Sequence, residues 1–373
     1  MATTGDARRY PTNAWYVLAT GDEVGDRPLG RRAAEAPVVL YRTGDGTAVA
    51  LEDRCAHRPY PLSLGRVEGD AIVSGYTGFV YGPDGACIRV PTQDQVPFGA
   101  RVRAFPVHDD GAFVWVWMGE AAYAGLRRPP RTPWLRDEQW STFGGTLDTA
   151  ANIMLLHENF ADITHVAVVD PYITPPVLRG TPPPLEIQVS ETSVSFSRSY
   201  SPAPLAGWHA AALELSADAE HPQRETGGFV SPGLWVNTWE VHAEGVTPVP
   251  TFRFTHAITP VDSGRTTHVW RVSRNFAPDE ATTATLRPIF AEYYDTVRGI
   301  LEIMQSVLDR DGPRREVNVA ADAAALQVRK IIAQMVAEEN GNRSRRSRSA
   351  RPGPASTARR SGSAARRSGS ATT

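Results

Sequence analysis

The chain has 373 residues, 41% of them hydrophobic, which is enough for two or three domains with a sizeable buried core. Its 30 Pro and 31 Gly suit a protein of strands and loops and argue against a helical bundle, and no run approaches the ~18 apolar residues of a membrane helix. The net charge is −2, and MATTGDARRYPTNAWYVLAT lacks the apolar centre of a signal peptide, so a cytoplasmic protein is expected, in whose reducing compartment a Cys55–Cys87 disulfide is conceivable but disfavoured.

Residues 1–9 are expected to form a flexible N-terminus. From 10 to 118, short runs such as APVVLYRT, TAVALED, AIVSG, CIRVPT and AFVWVWMG alternate with Gly, Asp and Pro turns, predicting a small all-β domain. Within it, the triplet CAH at 55–57 has the look of half a metal site. The stretch where the other half belongs, VSGYTGFVYGPDGAC, offers Ser74 and Thr77.

After the Pro- and Arg-rich linker LRRPPRTPWLRDEQW comes DTAANIMLLHENFADITHVAVVD. Ile153, Leu156, Phe160, Ile163 and Ala167 recur there at three and four, predicting one helix with an apolar face. Asn159, Asp162 and His165, spaced by three, would share another side of it. Strands return from 185 to 275. The stretch IFAEYYDTVRGILEIMQSVL then predicts a long helix buried along Phe290, Tyr293, Val297, Ile300, Leu301, Met304 and Leu308, with Pro288 in its first turn or at a kink. ADAAALQVRKIIAQMVAEEN reads as a closing helix. The fold class is therefore α+β: the β domain over 10–118, then over 119–338 a helix-grip domain whose antiparallel sheet around a long helix makes a cup for a medium-sized ligand. Residues 339–373 form an Arg/Ser-rich stretch with nine Arg and no acid from Arg343 onward, expected to be a disordered, solvated tail.

Four segments carry a resemblance: CAHRPYPLSLGRV, SGYTGFVYGPDGACIRVPTQ, ENFADITHVAVV and HAITPVDSGRTTHVWRVSRNF. In this order they resemble the oxygenase component of Rieske non-haem iron oxygenases, near the aromatic O-demethylase branch, over about 10–338. The resemblance implies a [2Fe–2S] cluster held by Cys-x-His and Cys-x-x-His. Those positions here are Cys55, His57, Ser74 and Thr77. It also implies an iron on two His of Asp-x-x-His-x4-His and an Asp of the C-terminal helix. Asp162 and His165 match the bridging Asp and first His, whereas Asp170 and Val297 stand at the other two ligand positions. Asp295, two residues from Val297, would face elsewhere. Hydroxyls are poor replacements for thiolate and imidazole, and valine cannot coordinate. Both centres are therefore expected to be vestigial, with no cofactor and no metal. A ring of three subunits is implied by resemblance alone.

By elimination, the expected function is a metal-independent, non-redox cyclase of specialised-metabolite (antibiotic) biosynthesis. It would catalyse a Diels–Alder-type [4+2] cycloaddition or related ring closure of a polyketide-like polyene of polyether or tetronate type, through preorganisation in the cup. The candidate catalytic residues are Asp162, His165, Asn159, Asp170, Tyr172, Tyr293 and Tyr294. His157 lies nearby on the first helix, and Glu302 marks a family-like position on the second. The alternatives are an inactive structural subunit of a Rieske oxygenase assembly or a residual Rieske-type monooxygenase or demethylase. The expected partner is a small-molecule substrate, with no membrane and no nucleic acid.

Overall fold

A computed structural model describes residues 10–349. The N-terminal part is built of strands β1 (Trp15–Thr20), β2 (Leu29–Ala33), β3 (Ala36–Arg42), β4 (Ala48–Glu52), β5 (Arg66–Glu68), β6 (Ala71–Val73), β7 (Val80–Tyr81), β8 (Cys87–Arg89), β9 (Ala104–Phe105), β10 (Val107–Asp109) and β11 (Phe113–Trp117). They make three small sheets in the orders β1-β11-β10, β2-β3-β4-β9 and β5-β6-β7-β8. The continuous apolar runs WYVLAT and FVWVW are buried along their whole length, because β1 and β11 are covered on both faces. Gly65 lets the Val73 carbonyl approach where any Cβ would collide, and Gly78 takes a φ of +68° beside Thr77. Gly65 lets the loops after β4 and β6 pack against each other, and Gly78 packs on Pro91.

The C-terminal part contains β12 (Ser141–Thr149), α1 (Ile153–Ala161), α2 (Val166–Val169), β13 (Glu186–Val189), β14 (Val194–Ala203), α3 (Gly207–Ala212), β15 (His221–Ser231), β16 (Leu234–Val241), β17 (Thr251–Pro260), β18 (Thr266–Arg274), α4 (Glu280–Asp311) and α5 (Ala323–Ser349). The seven strands form one antiparallel sheet, ordered β12-β18-β17-β16-β15-β14-β13. Its inner face, with α1 and α4, encloses the core. Alternation along β14 buries Val194, Phe196, Arg198 and Tyr200, and along β15 it buries Gln223, Glu225 and Phe229. Two polar residues and an Arg thus lie on a face that apolar residues would ordinarily occupy.

The two parts share a core and are stitched by backbone bonds from Ala34 and Glu35 to the carbonyls of Pro260 and Val261. The α5 helix closes over both. Its Glu339 carboxylate, 8% exposed, accepts bonds from the backbone N–H groups of Thr12 and Asn13 and from the Thr12 hydroxyl.

Three expectations are corrected. The single helix over DTAANIMLLHENFADITHVAVVD is broken at Asp162, which is extended (φ −136°, ψ 109°). Its carboxylate accepts from the Thr164 N–H and hydroxyl, a local turn that competes with the helical ladder. Asn159, Asp162 and His165 therefore do not share one helical face. In α4 the buried line runs through Leu286, Phe290, Tyr294, Val297, Leu301 and Gln305, whereas Ile300 and Met304 are exposed. Gln305 is drawn inward because its carbonyl accepts from the Asn152 backbone N–H and side-chain amide at the start of α1. Pro288 sits on the exposed side, about two turns inside a helix that begins earlier, at the Asp279 cap. Finally, α5 continues through Ser349, into the stretch expected as a tail, while the flexible N-terminus (1–9) and the rest of that tail lie outside the described residues. Among the described residues, no helix is long and apolar enough to cross a membrane.

Candidate functional site

Three places carry the chemistry to be weighed. The first is the half-site in the N-terminal part. Cys55, in the loop after β4, is 2% exposed. Its Sγ lies 3.4 Å from the Thr77 hydroxyl and 3.2 Å from the Tyr81 hydroxyl, and Tyr81 also accepts the Ala56 N–H at 2.9 Å. Burial raises the Cys55 thiol, but the bonds from Thr77, Tyr81 and nearby backbone outweigh it and leave the thiol below its ordinary value. Ser74, 1% exposed, reaches the Thr77 hydroxyl at 3.4 Å. His57 is exposed and stacks on Phe79 with ring centres 4.8 Å apart. One thiol and one imidazole therefore stand where a cluster needs two of each, and the two hydroxyls are turned into a network around Cys55. This donor set does not fit a [2Fe–2S] cluster of the two-Cys, two-His kind. Cys87, also free and buried, has its thiol pushed up by burial.

The second place surrounds the turn between α1 and α2. The His165 Nδ1–H donates to the Asp162 carbonyl at 2.8 Å. Since that carbonyl only accepts, the network assigns the lone pair to Nε2, which takes a bond from the Asn159 amide at 3.1 Å and faces the Tyr293 hydroxyl at 3.4 Å. Burial lowers the His165 pKa, with partial opposition from Asp162, and keeps the ring neutral. Asp170 is spent on a turn, accepting from the N–H groups of Tyr172 and Ile173. Tyr172 itself is 64% exposed and lies away from the cavity described below. Val297 is buried, Asp295 pairs outward with Arg298, and Glu302 accepts from the Ala150 N–H. Among the described residues, no three His, Cys, Asp or Glu side chains converge. With an aspartate committed to its own turn and a valine as third member, the residues do not fit a mononuclear iron triad.

The third place is a cavity between the inner face of the sheet, α1 and α4. Its walls are aromatic, with Phe160, Trp208, Phe252, Phe290 and Tyr294 prominent, and Asn159 and Tyr293 stand at its edge toward His165. Phe160 stacks on His256 at 4.1 Å, and the His256 Nδ1 lies 3.1 Å from the His268 Nε2. Burial lowers both imidazoles, His268 to about 3 and His256 well below its ordinary value, so both are neutral. Burial also holds the hydroxyls of Tyr293 and Tyr294 protonated. Of the residues singled out in sequence, Asn159, Tyr293 and Tyr294 line this cavity, while Asp162 and His165 line the neighbouring cleft with Val297 and Arg329. His157 lies in neither. It is fully buried, accepts from the Trp235 indole N–H at 2.7 Å, and has its pKa lowered to about 3 by burial.

Sequence reasoning missed Glu225, Trp208, His209, Asn237 and His256, all of which line the cavity. For Glu225 a signal existed: it falls on the inward phase of the alternation that buries Gln223 and Phe229. Glu225 is 3% exposed and accepts from Tyr200 at 2.8 Å and from Arg198 at 3.3 Å.

Residues 149–338 match the family model of the vanillate O-demethylase oxygenase C-terminal domain, and residues 14–106 match that of the Rieske [2Fe-2S] domain. The chain is 32% identical over 343 residues to the putative toluene-4-sulfonate monooxygenase system iron-sulfur subunit TsaM2 of Comamonas testosteroni, covering 88% of this chain and 98% of the relative. It is 29% identical over 348 residues to a vanillate O-demethylase oxygenase subunit of Pseudomonas sp. (strain HR199 / DSM 7063), covering 88% and 96%. The crystal structure of dicamba monooxygenase bound to 3,6-dichlorosalicylic acid superposes with a TM-score of 0.81 at 25% identity, over 88% of this chain and 98% of that one. These relatives are monooxygenases and demethylases. They overturn the expectation of a cyclase, together with the polyketide substrate attached to it. Missing metal ligands remove one chemistry, but elimination alone supplies no positive geometry for another.

Proposed function

We propose that this chain, which belongs to the Rieske oxygenase family through its Rieske domain and its vanillate O-demethylase-type C-terminal domain, serves a monooxygenase or demethylase system by holding a small organic substrate in its aromatic cup. One observation carries the reading: the cavity lined by the sheet, α1 and α4 has a dense aromatic wall and a few polar groups at its rim. Such a cup removes a flat molecule from water at roughly 25 cal/mol per Å² of apolar surface and fixes its orientation through the rim. Asn159 and Tyr293 are the groups that would orient it, because both reach from the cup toward His165.

A second reading is favoured by Ser74, Thr77 and Val297 at the metal positions: a subunit that fills a place beside intact oxygenase subunits in a mixed ring. The first reading requires the cup. Neutral aryl methyl ethers titrated against the purified protein should quench its tryptophan fluorescence, and Phe290→Trp, which fills the cup, should weaken binding at least tenfold. Unchanged binding in that variant would sink the assignment of the site. Oxygen consumption by the isolated protein with a reductase would overturn the reading of its metal positions as altered, and its appearance only after mixing with an intact relative supports the second reading.

A further inference from the structure

We infer that the cup selects an uncharged, flat organic molecule presenting a hydroxyl or N–H group to Glu225, and that it rejects aromatic anions. The inference rests on the reading of the cup as a small-molecule site and adds to it the charge class of the ligand.

Among the described residues, Glu225 is the one Asp, Glu, Lys or Arg side chain on the cavity wall. Its bonds from Tyr200 and Arg198 both fall on Oε2, which leaves Oε1 to the cavity. Arg198, its cross-strand neighbour on β14, is tied to that carboxylate from behind and does not reach the cavity wall. Its charge is already matched. The remaining candidates for a cation are His209 and His256. Both are fully buried and neutral, since burial lowers His209 to about 3 and His256 further from its ordinary value than protonation at neutral pH allows. An anionic ligand would thus enter a low-dielectric space that holds a carboxylate and no free positive charge.

Two other groups on the wall lack partners. The Trp208 indole N–H is buried with no acceptor, and the Asn237 amide oxygen is buried with no donor while its amide nitrogen donates to the Phe160 carbonyl. These two atoms are covered by their neighbours, so the acceptor left open to a ligand is Glu225 Oε1. A neutral ligand with a donor hydrogen satisfies it, whereas a carboxylate or sulfonate has no hydrogen to give.

The test uses three bicyclic probes of matched shape: 2-naphthol, 2-methoxynaphthalene and 2-naphthoate. Affinities are measured by tryptophan quenching and checked by calorimetry at pH 7 on the full chain. The expected order is naphthol first, at least tenfold tighter than naphthoate and several-fold tighter than methoxynaphthalene. In Glu225→Gln, which removes the cavity's anion and leaves Arg198 without its counter-charge, naphthoate should gain at least tenfold and naphthol should lose its lead. Should that variant fail to fold, the charge-free pair R198M/E225Q should bring naphthol and naphthoate within threefold of each other. Naphthoate binding to the wild type as tightly as naphthol, or an unchanged ratio in the variants, overturns the inference while leaving the cup as a binding site. Failure of all three probes to bind overturns the site and the inference together.

Discussion

Arg198→Met isolates how the buried ion pair behind the cup is held. Arg198 and Glu225 face each other across β14 and β15, their side chains 4% and 3% exposed, with the guanidinium 3.3 Å from Oε2. Removing one partner of such a pair ordinarily costs about 3–5 kcal/mol. Here a proton sets a ceiling, because the stranded carboxyl can become neutral. From the ordinary value of 4.5, protonation at pH 7 costs about 3.4 kcal/mol, and at pH 5 only about 0.7 kcal/mol. The sign agrees with the environment of Glu225: burial raises its pKa, and Arg198 works against that rise. A carboxyl raised in the folded state contributes stability that is complete below 4.5 and is lost as pH climbs through the folded value. Loss of Arg198 should widen that window upward. Urea unfolding followed by tryptophan fluorescence should therefore show Arg198→Met destabilised by about 3 kcal/mol at pH 7 and by under about 1 kcal/mol at pH 5. R198M/E225M, with no charge left to bury, should recover to within about 1 kcal/mol of the wild type at both. A loss that does not vary with pH, or one below about 1 kcal/mol at pH 7, would refute the argument that an ionised Glu225 is held by Arg198.

The wild type should respond to acid in the opposite sense. His157, His209 and His268 are buried and lowered to about 3, so the unfolded chain takes up protons below 6.5 that the folded chain refuses. Stability should fall below pH 6.5 by up to about 1.4 kcal/mol per pH unit for each of them, and a flat urea midpoint between pH 6.5 and 5 would contradict their neutral burial. At the first altered metal position, Ser74→Cys with Thr77→His supplies a second thiol and a second imidazole on a loop that Gly65 lets pack closely against the Cys55 loop. Reconstituted anaerobically with iron and sulfide, the double variant should gain the visible absorption of a cluster that the wild type lacks after the same treatment. Equal colour in both would show that the wild-type donors suffice.

The order of elements and the β domain before a sheet wrapped on a long helix were legible in the chain. Alternation and short spaced motifs are local properties that survive without coordinates. Val297 could be read as buried because it lies on a helical period shared with Phe290 and Leu301. The site was legible only in part. Asn159, Tyr293 and Tyr294 could be named because they sit on α1 and α4, whose faces follow from spacing. Glu225, Trp208 and Asn237 come from β15, α3 and β16, and nothing local says that these meet.

Sequence by itself determined the kinship and the fold class, because each is fixed by residue identity at short spacing. Tertiary structure alone decided that α1 ends at Asp162, that Gln305 is drawn inward by Asn152, and that a carboxylate and its arginine lie paired on the inner face of the sheet. Those outcomes depend on hydrogen bonds between residues far apart in the chain and on the withdrawal of charge from water, neither of which any window of sequence contains.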